Sequence, residues 1–161
     1  MRVIYLPTLW TVIIDVLAWF VIHVGVVFIV LRIPGDHFNP ESWLYKCRGW
    51  EEGSRFYDKI IKIKKWKGAL PDGARFSKNR GFVKKRLKSR DAEHLNAFFL
   101  ETCRAEFAHW VLILFAPLFF LWNRPWVGFF MVFYALMENG PLILAQRYNR
   151  IRLRRVLEKE R

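Results

Sequence analysis

The chain has 161 residues, of which 53% are hydrophobic and 17% aromatic, yet it carries a net charge of +13. That length suits one domain, and its apolar residues crowd into three blocks with Lys and Arg between and after them. A soluble domain of this size would expose such blocks as adhesive patches. The composition therefore excludes an ordinary soluble protein and predicts an all-α integral membrane protein with about three transmembrane helices.

The first block covers residues 3–31, with Asp15 and His23 as its ionisable groups. At about 1.5 Å per residue it is long enough to cross a hydrocarbon core with some tilt. It is too long for a typical cleaved signal peptide, so a permanent span is expected. Asp15 and His23 can each hydrogen-bond to a neighbouring helix.

Residues 32–94 follow, with 17 Lys and Arg against 8 Asp and Glu. Within them, Phe56, Tyr57, Ile60, Ile61 and Ile63 alternate with Asp58, Lys59, Lys62, Lys64 and Lys65. The pattern predicts an amphipathic helix lying in the membrane interface, lysines toward anionic headgroups. Lys64 falls on the apolar side, where a lysine can snorkel. Pro71-Asp72-Gly73 predicts a turn, and a looser basic stretch runs from Lys84 to Arg90. Nucleic-acid binding is the competing explanation of such charge; membrane spans already account for a cytoplasmic basic surface, so no nucleic-acid partner is expected.

The second block spans residues 95–122 and the third 126–146, separated by Asn123, Arg124 and Pro125. Those residues predict a tight turn, making the two spans an antiparallel helical hairpin. Pro117 and Gly140-Pro141 are expected to bend its arms. The tail, residues 147–161, has 7 Lys and Arg against 2 Glu. Lys and Arg placement puts the N-terminus and the hairpin turn outside, and segment 32–94 and the tail in the cytoplasm. Cys47 and Cys103 read as two semi-buried thiols in a reducing compartment, with Cys103 as an acyl-carrying nucleophile the minor alternative.

Ionisable groups in or near hydrocarbon call for a reason. Glu101 and Arg104 lie three residues apart, as do Glu106 and His109, predicting a Glu–Arg and a Glu–His contact on one helix. In an antiparallel hairpin these residues face roughly Asn139 through Asn149. Such a convergence can act chemically on a lipid headgroup. Taken singly, Glu101, Arg104 and Arg147 also read as plain juxtamembrane charges, and His109 as a structural histidine.

Several stretches resemble the glycosyl-4,4′-diaponeurosporenoate acyltransferase family of staphyloxanthin-type carotenoid synthesis. They are Arg32-Ile33-Pro34 with Phe38; Lys65-Trp66-Lys67 with Asp72-Gly73; Glu101-Thr102, Arg104-Ala105-Glu106 and His109-Trp110; Phe133-Tyr134-Ala135; Asn139 with Pro141; and Gln146-Arg147-Tyr148-Asn149-Arg150 with Arg152-Leu153. They cover most of the chain from Arg32 onward, and the first span carries no matching motif. The resemblance implies O-acyl transfer onto a hydroxyl of a lipid-soluble glycosylated acceptor, a carotenoid, terpenoid or glycolipid. For that reaction His109 is the expected general base, with Glu106 orienting its ring. Asn139 or Arg104 is the expected oxyanion donor. Glu101, Gln146, Arg147, Tyr148, Asn149, Arg150, Lys65 and Trp66 are expected to bind substrate, the cations holding phosphates of an acyl-CoA or acyl-phospholipid donor. No zinc pattern, glycine-rich phosphate loop or nucleophile elbow occurs, so no metal, cofactor or covalent serine is expected. The reaction centre fits within one chain or at a boundary between copies in a homo-oligomer. The alternatives are a non-catalytic membrane protein that binds lipid or adapts a partner through its basic face, and another class of enzyme acting on a lipid, such as a methyltransferase or reductase.

Overall fold

The computed structural model describes residues 2–70 and 92–159. The expected turn at Pro71-Asp72-Gly73 and the basic stretch Lys84 to Arg90 lie outside the described residues. The described residues are helical, without strands. Helix α1 runs Thr8–Arg32, α2 is the single turn Ile63–Trp66, α3 runs Ala92–Phe115 and α4 runs Pro125–Lys159. Three stretches are long and apolar enough to cross a membrane: Thr8–Arg32, Leu95–Leu121 and Pro125–Glu158. Large apolar side chains along them are exposed, among them Val16, Phe20, Val24, Leu114, Phe129 and Phe133.

By its contacts the chain forms two compact units, residues 1–32 with 107–141 and residues 33–106 with 142–161. In the first, Trp19 of α1 is the central aromatic. It stacks on Phe119 at 4.7 Å, lies edge-on to Tyr134 at 5.8 Å and directs its Nε1–H to the Met131 sulfur at 3.4 Å. The bend expected at Pro117 is a change of helix type: α3 ends at Phe115 and a tighter 3-10 segment, Ala116–Leu121, begins with that proline in its first turn. Pro125 opens α4 at the first helical position, where its missing N–H costs nothing. The 3-10 segment and α4 approach closely at Gly128. A Cβ there would lie 2.4 Å from the Phe120 ring, so any larger residue would force that ring to move. Asp15, 7% exposed, accepts from Trp122 Nε1 and Asn123 Nδ2, both at 2.7 Å, tying α1 to the turn. Pro141 sits inside α4, which continues through it to Lys159 and so takes in most of the expected tail.

In the second unit the basic segment is folded. The amphipathic helix expected over Phe56–Lys65 is instead two separate turns. Phe56–Ile60 is a wide, π-type turn and α2 follows. Lys62 between them has φ of 51°, a left-handed conformation that ends one turn and re-aims the next. The physical reason lies in the destinations of the side chains. Tyr57 and Ile63, both fully buried, pack into a core with Ala145, Tyr148 and Ile151 of α4, while Ile60 is left exposed. One straight amphipathic face cannot serve both destinations.

Candidate functional site

The first unit gathers ionisable groups from all three of its helices. Asn139 of α4, 1% exposed, donates from Nδ2 to the carbonyl of Ala135 one turn back, at 3.0 Å. Its Oδ1 therefore faces Nδ1 of His109 on α3, at 2.9 Å. An amide oxygen only accepts, so Nδ1 carries the hydrogen and the neutral ring keeps its lone pair on Nε2. The reverse amide orientation would set Oδ1 against the Ala135 carbonyl, acceptor to acceptor. His23 of α1 is also held through Nδ1, but its Nε2 faces a carboxylate and pairs with it only through a proton between them. Its Nδ1 lies 2.8 Å from the Trp19 carbonyl and must donate to it, which turns Nε2 toward Glu138 Oε1 at 3.5 Å. The Trp19 ring backs the imidazole at 5.3 Å. Tyr134 lies beside Glu138, and both Glu138 and His23 stand close enough to act on the charge of His109.

The second unit holds a buried ionic network. Glu51 and Glu106 are fully buried, and Arg147 and Arg150 are 8% and 5% exposed. Arg147 grips Glu51 in a fork, Nε to Oε1 and Nη2 to Oε2, both at 2.7 Å. Its Nη1 donates to Glu106 Oε1 at 2.8 Å and to the Leu44 carbonyl at 3.0 Å, and Nη2 also reaches the Lys46 carbonyl at 3.2 Å. Five contacts match the five N–H donors of a guanidinium. Glu51 also accepts from the Tyr57 hydroxyl and from the Arg48 amide at 2.9 Å. Burial by itself pushes the Glu51 carboxyl up; the bonds from Arg147, Tyr57 and the Arg48 amide together outweigh it and hold the group below the usual carboxylate range. Burial, reinforced by Glu51, raises the Tyr57 phenol. Glu106 Oε2 pairs with Arg150 Nη2, and Arg150 Nε donates to the Tyr45 carbonyl at 3.2 Å.

The expected site residues thus fall in two sets. His109 and Asn139 meet in the first unit, and Asn139 rather than Glu106 takes the place of ring orienter. Both Glu106 oxygens bind guanidiniums, because two buried arginines need a counter-charge more than a neutral imidazole does. Asn139, one expected oxyanion donor, is held between His109 and Ala135. Arg104, the other, pairs with Glu101 at 2.9 Å and donates to the Ile33 carbonyl at 3.1 Å, leaving its buried Nε without a partner. Arg147 is fully occupied within the protein. Tyr148 is buried and its hydroxyl donates to Asp58 at 3.2 Å. Asn149 accepts from Lys67, and Trp66 donates to the Ile61 carbonyl at 3.0 Å. Gln146 is half-buried and Lys65 exposed. Among the described residues, no group of three His, Cys, Asp or Glu side chains is arranged to hold a metal. Cys103 is buried and Cys47 half-buried.

Sequence reasoning gave no site role to Glu51, Tyr57 or Glu138 and only a helix-bridging one to His23. The available signals were a carboxylate inside a strongly basic segment and two ionisable groups within apolar blocks.

The fold and this site define a class: an all-helical protein with three helices suited to a membrane and ionisable groups held among them. The chain belongs to the glycosyl-4,4′-diaponeurosporenoate acyltransferase family, whose model matches residues 40–159. The protein of that name from Staphylococcus aureus strain bovine RF122 / ET3-1 is 30% identical over 140 residues, covering 86% of this chain and 83% of the relative. Its counterpart from strain MRSA252 is 30% identical over 139 residues, with the same coverage. No solved structure matches the chain. Helix α1, with Asp15 and His23, precedes the residues the family model matches.

Proposed function

We propose that the chain is a membrane-bound O-acyltransferase. It moves a fatty acyl chain from an acyl-CoA or acyl-phospholipid to a hydroxyl of a lipid-soluble glycosylated acceptor, a carotenoid, terpenoid or glycolipid. Three long apolar helices with exposed apolar flanks support insertion in the cell membrane. The placement of Lys and Arg supports an outside N-terminus, a cytoplasmic C-terminus and chemistry at the cytoplasmic face. Family membership supports acyl transfer, since relatives carry that activity in their names.

One observation carries the mechanism: the Ala135–Asn139–His109 chain of hydrogen bonds, which fixes the imidazole with Nδ1 protonated and Nε2 bare. Nε2 takes the proton of the acceptor hydroxyl as its oxygen attacks the acyl carbonyl carbon. The tetrahedral intermediate collapses by breaking the bond to the donor's sulfur or oxygen. The imidazolium returns its proton to that leaving group, ready for another turnover.

Mass spectrometry of host membrane lipids tests the proposal. Cells making the wild-type chain should contain a species heavier by one acyl chain than those making His109→Ala, with both proteins equally abundant in membranes. If His109→Ala leaves the lipids unchanged while charge reversal across Lys59–Lys67 does not, the protein is a non-catalytic lipid-binding adaptor.

A further inference from the structure

Beside the ionic network of the second unit lies a narrow recess with space for about one water-sized group. Its walls include Arg147, Arg150, Arg154, Glu51, Tyr45 and Cys47. The hydrogen-bonding capacity around it is almost entirely committed. Arg147 uses every N–H, and both carboxylates of the network accept from guanidiniums at each oxygen. Arg150 is the exception. Its Nε and Nη2 are bonded, but Nη1 is buried without a partner on a side chain only 5% exposed. Cys103 shares a side-chain hydrogen bond with this guanidinium, a weak one because sulfur is a weak acceptor. A buried cationic N–H left unpaired costs about 1–3 kcal/mol, so the position invites an acceptor from outside the chain.

Its surroundings favour a charged acceptor. Residues 33–70, 92–106 and 142–159 hold 15 Lys and Arg against 9 Asp and Glu, a field that attracts anions. Arg154 also lines the recess, and its side chain, 33% exposed, pairs with a Glu41 side chain that is 63% exposed. An exposed pair of that kind is worth about 0–1 kcal/mol and exchanges readily for a stronger anion. Space for one water is also space for one phosphate oxygen, with the rest of the group outside, beside Arg154.

We propose that this recess binds one phosphate of the acyl donor, one oxygen on Arg150 Nη1 and another on Arg154. The inference rests on the acyl-transfer reading for the identity of the ligand. The shared chemistry is a phosphate ester, which coenzyme A and a phospholipid headgroup both carry.

Calorimetric titration of the full-length chain in detergent with coenzyme A, a short-chain phosphatidylglycerol or inorganic phosphate tests it. One of the two esters should bind, and the one that does identifies the donor. Arg154→Gln, at the rim, should weaken it about tenfold, the loss of one charge-assisted hydrogen bond. Arg150→Lys should abolish it, with thermal unfolding used to check that the variant folds; if it does not fold, Arg154→Gln alone decides. Binding of inorganic phosphate without either ester, no binding at all, or binding indifferent to Arg154→Gln would each overturn the site. The two readings fail separately. His109→Ala should bind the ester normally. If it loses the product while Arg154→Gln binds as wild type, the recess is refuted and acyl transfer stands. No acylated product from the wild-type chain, with binding lost in Arg154→Gln, refutes acyl transfer and leaves an anion site.

Discussion

In the unit built from residues 33–106 and 142–161, Arg147 engages Glu51, Glu106 and two carbonyls with all its donors. In the unit built from residues 1–32 and 107–141, His109 has one ring nitrogen tied to Asn139 and its tautomer leaves the other with a lone pair. Both units bury polar groups, but the unit of Arg147 balances charge against charge, while the unit of His109 orients a neutral base. A saturated buried network contributes uniqueness of fold and has little valence left for a ligand. A half-used side chain held rigidly by the other half is how reactive groups are presented. The contrast assigns structure to most of the ionic cluster and chemistry to the imidazole.

The sharpest way to break that contrast is to remove one member of each set. Arg147→Ala would leave two carboxylates buried without their main partner and should cost about 3–5 kcal/mol of stability, seen as a large fall in the thermal unfolding midpoint in detergent. His109→Ala, which strands the Asn139 Oδ1, should cost less, about 1–3 kcal/mol, and lower acyl transfer about 10²–10⁴-fold, the usual worth of a general base. If Arg147→Ala folds normally and merely loses activity, the division between the units is wrong.

The role given to Asn139 can be separated from mere packing. Asn139→Asp keeps an acceptor facing the His109 Nδ1–H, whereas Asn139→Leu keeps only the bulk. The leucine variant should lose about tenfold in rate, the worth of one well-placed hydrogen bond, and the aspartate variant should recover part of it. Equal activity in the two would mean that ring orientation does not matter.

Acid probes the other unit. The Glu51 carboxyl is held below its ordinary value, so the stability it contributes is present above about pH 4.3 and is lost as pH falls through the depressed value in the folded protein. The unfolding midpoint of the wild type should therefore drop steeply below about pH 4, and Glu51→Gln should show a shallower dependence. Equal slopes would remove Glu51 from the network's balance.

How much of this was legible beforehand depended on the kind of signal. The three apolar stretches follow from hydropathy, a local property, and three helices long and apolar enough to cross a membrane are found; the third runs well past its expected end, because the basic tail continues the helix. The single helix expected over Phe56–Lys65 failed because its pattern was ambiguous. Alternating apolar and lysine residues fit an interfacial face, but they equally fit two turns that send Tyr57 and Ile63 into a protein core. Only the tertiary partners Tyr148 and Ile151 decide between these. Glu106 was assigned to His109 on helical spacing. The competing claim came from Arg147 and Arg150, more than forty residues on, and local spacing cannot weigh a distant charge. The contact of His109 with Asn139 joins two residues that had been given separate roles, base and oxyanion donor, because spacing on one helix was weighed before contacts between helices.

Asp15 offers the finest test of the comparison, since it is a buried carboxylate in the unit that otherwise orients neutral groups. Its Oδ1 accepts from Trp122 and Asn123, both neutral donors. If hydrogen bonding rather than charge gives Asp15 its role, Asp15→Asn, with its amide oxygen toward the same two donors, should change stability by less than about 1 kcal/mol and leave acyl transfer unaltered. Asp15→Leu, which strands both donors, should cost about 1–3 kcal/mol with little change in the rate measured on folded protein. A loss of activity in Asp15→Asn at unchanged stability would show that the carboxylate's charge is used, and would move the chemistry of this unit away from His109 toward the turn.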